Sequence, residues 1–215
     1  LNVIRYYKNR GRSLEKIENA IISLYEEIHH CKTTNQLMGI EGNMRDMYYK
    51  AFDEIIDNND FTFEKRTRQP PKNELNALIS FGNSLLYVLI LSEIYRTHID
   101  PRIGYLHTTN FRRFTLNLDV AEVFKPIIID RIIFTLIGKK MITKDDFEPD
   151  IGGILLKDKG SKTFVQEFDK KLSSTIKHRQ LGRNVSYRRL VRMELYKLEK
   201  HLIGEAKYEP YVSRW

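Results

Sequence analysis

Apolar positions recur at helical spacing along most of this chain. Leu14, Ile17, Ile21, Leu24 and Ile28 follow Ser13, a good N-cap, and predict a helix over about 14–31 with one inward stripe. Thr34 caps a second helix to about Asp57, with Leu37, Met38, Met44, Met47, Tyr48 and Phe52 facing inward. Gly39 and Gly42 interrupt it. Each glycine costs about 1 kcal/mol relative to Ala, which points to close approach by another backbone or a ligand. The turn-rich stretch 58–72, ending in Pro70-Pro71, predicts a loop. Residues 74–97 are almost continuously apolar and read as a central buried helix, broken near Gly82 and ended by Asp100-Pro101. A helix over about 117–138 is split at Pro126, which cannot donate the backbone bond. Ile154–Leu156 and Lys162-Thr163, around a turn at Lys159-Gly160, predict a small β-hairpin near 154–163. Helices over about 164–177 and 187–202 complete the pattern, and the tail from Glu205 has no helical period. The fold class is mainly α: a single compact multi-helix domain, 1–215, with one small hairpin.

Length and composition agree with that picture. The 215 residues, 41% hydrophobic and 30% charged, can bury a real core, and wholesale disorder is excluded. The longest unbroken apolar run, Leu85–Leu91, is well short of the ~20 residues of a membrane span, so no membrane is expected. A single cysteine, Cys31, excludes an internal disulfide and a multi-cysteine metal site and suits a reducing cytosol. No leader peptide is visible, and Leu1–Asn9 reads as mid-chain sequence, so a fragment or a processed form is expected.

Charge changes the picture most. Thirty-six Lys and Arg against 28 Asp and Glu give +8, which points to polyanionic partners or an anionic surface. Six of those eight charges come from Ile176–Gly204, where Lys177, Arg179, Arg183, Arg188, Arg189, Arg192, Lys197 and Lys200 face only Glu194 and Glu199. Such a run reads either as a solvated face or as a phosphate-binding one. Arginine outnumbers lysine in it, and guanidinium suits bidentate phosphate contacts. His178 and Tyr187 add rings able to stack on a base or sugar. Lys65, Arg66 and Arg68 form a second small cluster in the loop before the prolines.

Three places carry acids or histidine that a packed helical protein does not need. Glu41 lies between glycines and is read as a solvent-facing carboxylate or a ligand. His107 follows an apolar segment, as a hydrogen-bonded structural residue or a ligand. Asp119 and Glu122, three apart on one helical face, repel by a few tenths of a kcal/mol if unpaired, and a cation between them would offset that. Carboxylates with one imidazole and no thiolate match Mn²⁺ or Mg²⁺ better than structural zinc.

Four ordered blocks add a resemblance. LMGIEGNMRDMYYKAF (37–52), RQPPKNELNALISFGNSLLY (68–87), IDPRIGYLHTTNFRRFTLNLDVAEVFKPIIIDRII (99–133) and YEPYVSRW (208–215) together resemble the CRISPR-associated spacer-acquisition integrases and endonucleases, the Cas-one family, over nearly the whole chain. The resemblance implies the family's C-terminal helical catalytic domain. It implies a metal site at Glu41, His107 and Glu122, with Asp119 as auxiliary acid, holding Mn²⁺ or Mg²⁺. After the histidine, only Arg113 carries over cleanly to the family's basic pattern, from which Asn110 departs; Thr115 stands where Ser is usual and Asn83 where an aromatic often follows the Gly of SFG, and these departures bear on local DNA contacts. The implied activity is transesterification, in which a DNA 3′-hydroxyl attacks a phosphodiester, with endonuclease activity when water attacks. The implied partners are DNA (protospacer and CRISPR repeat), a small subunit, Cas-two, and a second copy of the protein through an upstream β-rich dimerisation domain that this sequence lacks. The implied location is the prokaryotic cytoplasm. The alternative is a non-catalytic helical nucleic-acid adaptor, against which the Asp119/Glu122 pair argues.

Overall fold

The computed structural model describes residues 1–107 and 114–213. Its described elements, in order, are α1 (Asn2–Lys8), α2 (Glu15–Glu27), α3 (Thr34–Ile56), α4 (Glu74–Ile94), α5 (Leu116–Phe124), α6 (Ile129–Gly138), β1 (Phe147–Asp150), β2 (Gly153–Leu156), α7 (Asp158–Ser173), β3 (Thr175–Lys177), β4 (Asn184–Ser186) and α8 (Tyr187–Leu202). The fold is mainly α, as the periodicity requires. The described residues group into two compact units: Leu1–Ser80 with Phe134–Gly160 and Ser213, and Phe81–Ile133 with Ser161–Val212.

The first unit is held by an aromatic cluster. Phe52 meets Phe134 edge-on with ring centroids 4.7 Å apart, Tyr7 meets Phe134 at 5.4 Å, and Tyr49 contacts both Phe52 and Phe63 at 5.2 Å. Such pairs add about 0.5–1.5 kcal/mol each beyond the area they bury. The cap of α3 lies one residue before the expected one: Thr33 accepts from the Gln36 N–H while the Gln36 side chain returns to the Thr33 N–H. Among the described residues a Cβ at Gly39 or Gly42 would meet nothing within 4 Å, so neither glycine serves the close approach of a described backbone segment. The 58–72 loop is pinned by the buried Asn76, whose Oδ1 accepts from Arg66 and the Thr67 N–H and whose amide donates to the Lys65 carbonyl.

The second unit packs α4, α5, α7 and α8 around Leu86, Ile90, Phe124, Phe164 and Leu195, all fully buried or nearly so. α4 runs unbroken through Gly82. The glycine serves packing instead: a Cβ there would stand 2.6 Å from Ile129 Cγ2 and 2.7 Å from Phe164 Cζ. Among the described residues α4 is the one helix long and apolar enough to cross a membrane, yet 56% of its apolar stretch is buried inside the protein and it carries the buried Glu93. Pro126 separates α5 from α6 as expected. The closing segment is anchored by a buried carboxylate. Glu194 accepts from the Tyr208 hydroxyl (2.7 Å) and the Tyr211 N–H (2.8 Å), and Tyr211 stacks on Phe124 at the end of α5. Burial, with the bond to Glu194, raises the Tyr208 hydroxyl far above its ordinary range.

The hairpin near 154–163 is corrected. The hairpin lies earlier, over 147–156: β1 pairs with β2, Phe147 opposite Leu156, and the chain turns at Ile151-Gly152, where Gly152 has φ +70°. Lys159-Gly160 lies inside α7. Gly160 looked like a turn residue because its role is steric: a Cβ there would be 2.6 Å from Leu156 Cδ1. A second hairpin, β3–β4, occupies residues expected to end one helix and precede the next.

Candidate metal and nucleic-acid site

In the second unit the loop before α5 wraps one carboxylate. Asp119 Oδ2 accepts the Tyr105 N–H (2.5 Å) and the Leu106 N–H (3.1 Å), and Oδ1 accepts the His107 N–H (3.1 Å) and contacts His107 Nδ1 at 2.5 Å. Thr115, buried at the start of α5, ties the loop down through its hydroxyl to the Arg102 carbonyl (2.8 Å). With Nδ1 engaged by Asp119, the His107 ring is fixed in orientation and Nε2 is the nitrogen left to coordinate, the arrangement that commonly supports a metal-ligating histidine. Asp119 therefore acts on the imidazole.

The approach depends on Gly104, which no spacing in the sequence marks. A Cβ there would fall 2.8 Å from Asp119 Oδ2, 2.8 Å from the His107 carbonyl and 2.9 Å from Thr115 Oγ1. Gly104→Ala is expected to cost about 1–3 kcal/mol of stability, as overpacking does, and to displace His107. Chemical denaturation, with the His107 ring signals followed by NMR, checks both; unchanged signals would separate the loop from the ring.

The sequence reading left Asp119 and Glu122 as unpaired like charges, and the structure corrects this. Asp119 is satisfied as above, and Glu122 Oε1 lies 2.5 Å from the Nζ of Lys125, one turn on, which stands 5.0 Å from the Tyr87 ring centre. Lys125 was overlooked, although the i, i+3 spacing from Glu122 would have shown it. The acidic pair thus ceases to argue against an adaptor. Glu41 stands in the first unit, one-third exposed, with Arg45 Nη2 at 3.2 Å from its Oε1. His107 and Asp119 are brought together, but among the described residues no three His, Cys, Asp or Glu side chains form a ready-made metal cluster. The donor set suits a hard divalent ion: an oriented imidazole and two carboxylates, each paired with a basic side chain of its own helix.

The basic residues separate into distinct groups. Lys177, Arg179, Arg183 and Arg189 are exposed. Arg192 Nε bonds the fully buried Glu93 at 2.7 Å, and Arg188 lies 4.0 Å from its other oxygen. His178 Nδ1 accepts from the Leu181 N–H at 3.4 Å. The stacking role given to Tyr187 is corrected: it is 4% exposed and its ring is covered by Lys171, Nζ 3.8 Å from the centroid, so it has no face to offer a base. Burial, with the charge of Arg131 nearby, lowers the Lys171 ammonium to about 8. Arg66 is tied to Asn76 and Ser80, whereas Arg68 is exposed. Arg113 lies outside the described residues. His98 meets Glu199 at 2.7 Å.

The family model described as "CRISPR associated protein Cas1" matches residues 1–170. The chain belongs to the Cas1 family. A "CRISPR-associated endonuclease Cas1 2" from Thermodesulfovibrio yellowstonii is 58% identical over 99% of this chain and 64% of its own length. The solved structure of a Cas1 protein from Thermotoga maritima superposes with a TM-score of 0.84 at 46% identity, over 95% of this chain and 62% of that one. The chain thus spans less than two thirds of the length of these relatives. Two more distant structures share the fold: a casposase bound to integration product (TM-score 0.78, 21% identity, 86% of this chain and 52% of that one) and a chain of a Cas6-RT-Cas1–Cas2 complex (0.83, 18%, 94% and 22%).

Proposed function

We propose that this chain is the helical catalytic domain of a divalent-metal-dependent DNA integrase and endonuclease of CRISPR spacer acquisition. The observation that carries the reading is the His107–Asp119 pair at 2.5 Å, buttressed by three backbone N–H groups on Asp119. Packing alone does not call for a loop built to aim an imidazole. His107, Glu41 and Glu122 would hold Mn²⁺ or Mg²⁺, which when bound polarises the scissile phosphate and lowers the barrier to deprotonating the attacking hydroxyl. Asp119 keeps the His107 ring oriented and its Nδ1 occupied. Lys125 and Arg45 hold the two glutamates in place. The DNA 3′-hydroxyl attacks the phosphodiester and displaces the other strand's 3′-oxygen, with no covalent protein intermediate; water in place of the hydroxyl gives nicking. Arg68, Lys177, Arg179, Arg183 and Arg189 are the exposed cations best suited to bind DNA phosphates.

The names of the neighbouring structures support the rest: integration product for the casposase, and a Cas2 subunit in the Cas6-RT-Cas1–Cas2 complex. We assign this protein the same partners: protospacer and repeat DNA, a small Cas2-type subunit, and a second copy of itself through the family's β-rich domain, in the prokaryotic cytoplasm.

The non-catalytic adaptor remains a second reading, favoured by one observation: Asp119, Glu122 and Glu41 all find protein partners. EDTA divides the two. A supercoiled-plasmid assay on the full-length protein with its Cas2-type partner should show nicking and strand transfer that vanish with EDTA and return with Mn²⁺ or Mg²⁺. DNA binding without any metal-restored cleavage would establish the adaptor.

A further inference from the structure

The β3–β4 hairpin is a small ribbon with two unlike faces. Thr175 pairs with Ser186, Ile176 with Val185 and Lys177 with Asn184. Side chains alternate across a strand, so Ile176 and the buried Val185 point inward while Thr175, Lys177 and Asn184 point to solvent. The connection is preformed: the His178 N–H bonds the Arg183 carbonyl and the Gly182 N–H the His178 carbonyl, both at 2.9 Å, and Gly182 takes φ +63°. Between Asp169 and Glu194 there is no acid and there are eight Lys or Arg. Those on the flanking helices are mostly committed: Lys170 to Glu167, Lys171 to the Tyr187 ring, Arg188 and Arg192 to Glu93. Lys177, Arg179 and Arg183, on the ribbon, are exposed and have no side-chain partner among the described residues.

A solvent-facing ribbon that is basic, acid-free and closed by its own backbone hydrogen bonds fits one partner class. Two strands about 5 Å apart enter the roughly 12 Å major groove of B-form DNA, whereas the deep, narrow major groove of A-form RNA excludes them. Asn184 and Thr175 are the side-chain types that hydrogen-bond base edges there. We propose that the β3–β4 hairpin is a duplex-DNA-reading ribbon, seated in the major groove with Arg179 and Arg183 on flanking phosphates and Asn184 and Thr175 facing base edges. The proposal rests on the DNA-binding reading above and adds the groove, the element and the residues that read sequence.

The test is fluorescence anisotropy of the chain with a labelled duplex across a salt series, together with selection from a randomised duplex pool. Circular dichroism confirms that each variant is folded. Replacing Arg179 and Arg183 together by Ala is expected to weaken binding and lower the slope of log affinity against log salt by about 2. Asn184→Ala should leave the slope unchanged and erase preference at one base position, a change of about 5- to 150-fold in discrimination. A duplex RNA of matching sequence should show neither effect. Binding by the wild type with an unchanged slope in the double variant would overturn the ribbon and leave the DNA-binding reading intact. A lowered slope with unchanged preference in Asn184→Ala and Thr175→Ala would overturn base reading, and equal losses on RNA would overturn the groove assignment. Failure of the wild type to bind duplex DNA at all would instead overturn the underlying function.

Discussion

Alanine at Glu41 or His107 is expected to abolish nicking and strand transfer by the assembled enzyme while leaving the fold intact. Both side chains are partly exposed and neither belongs to the core: Glu41 touches Arg45, and His107 rests on Asp119. Substitutions of this kind usually change stability by within about 0.5 kcal/mol. Glu122 needs a gentler change, because its removal takes a close partner from the nearly buried ammonium of Lys125. Glu122→Gln keeps an acceptor for Lys125 and removes the charge that a metal requires, so lost activity there reflects chemistry and not unfolding. Asp119→Asn should give a graded loss of about 10–100-fold, the usual effect of disturbing a group that orients a metal ligand. Manganese binding by calorimetry, beside circular dichroism and plasmid nicking, checks the set. Full activity in any two of the folded variants at 41, 107 and 122 would remove the site assignment.

Arg192→Ala is expected to destabilise the protein by about 3 kcal/mol. Glu93 is fully buried on α4, and Arg192 supplies its close ion pair at 2.7 Å. Removing one partner of a buried pair typically costs about 3–5 kcal/mol because the other charge remains desolvated. The lower end applies, since Arg188 stands 4.0 Å from the other oxygen. Arg183→Ala, in the exposed β3–β4 turn, should change stability by less than about 0.5 kcal/mol and act on DNA affinity alone. Urea denaturation of both variants, each paired with a salt series of DNA binding, separates the roles. Equal stability in the two would mean that Glu93 is not held by Arg192.

The division between these two arginines shows where the sequence stops being informative. They sit nine residues apart in one basic run, and nothing in charge or spacing distinguishes them. Only the packing of α8 against α4 brings Arg192 to an acid 99 positions away. Tyr187 is a similar case. Its place in a basic run suggested a stacking ring, but the helix it opens turns it inward beneath Lys171.

Local physics determined the rest. The mainly helical character, the bounds of α3 to within a residue, the 58–72 loop and the break at Pro126 all follow from properties of a few adjacent residues: apolar period, a capping side chain, a missing N–H. The motif blocks likewise singled out Glu41, His107, Asp119 and Glu122 without any coordinates. What those residues touch is another matter. That Asp119 gathers three amides and an imidazole, that Glu122 is held by Lys125, that Gly82 and Gly160 are demanded by neighbours rather than by turns, and that the hairpin lies over 147–156, were decided by tertiary structure. Periodicity says which face of an element is buried. Which distant surface buries it, and therefore which charge is neutralised and which is left for a ligand, is fixed only when the elements pack.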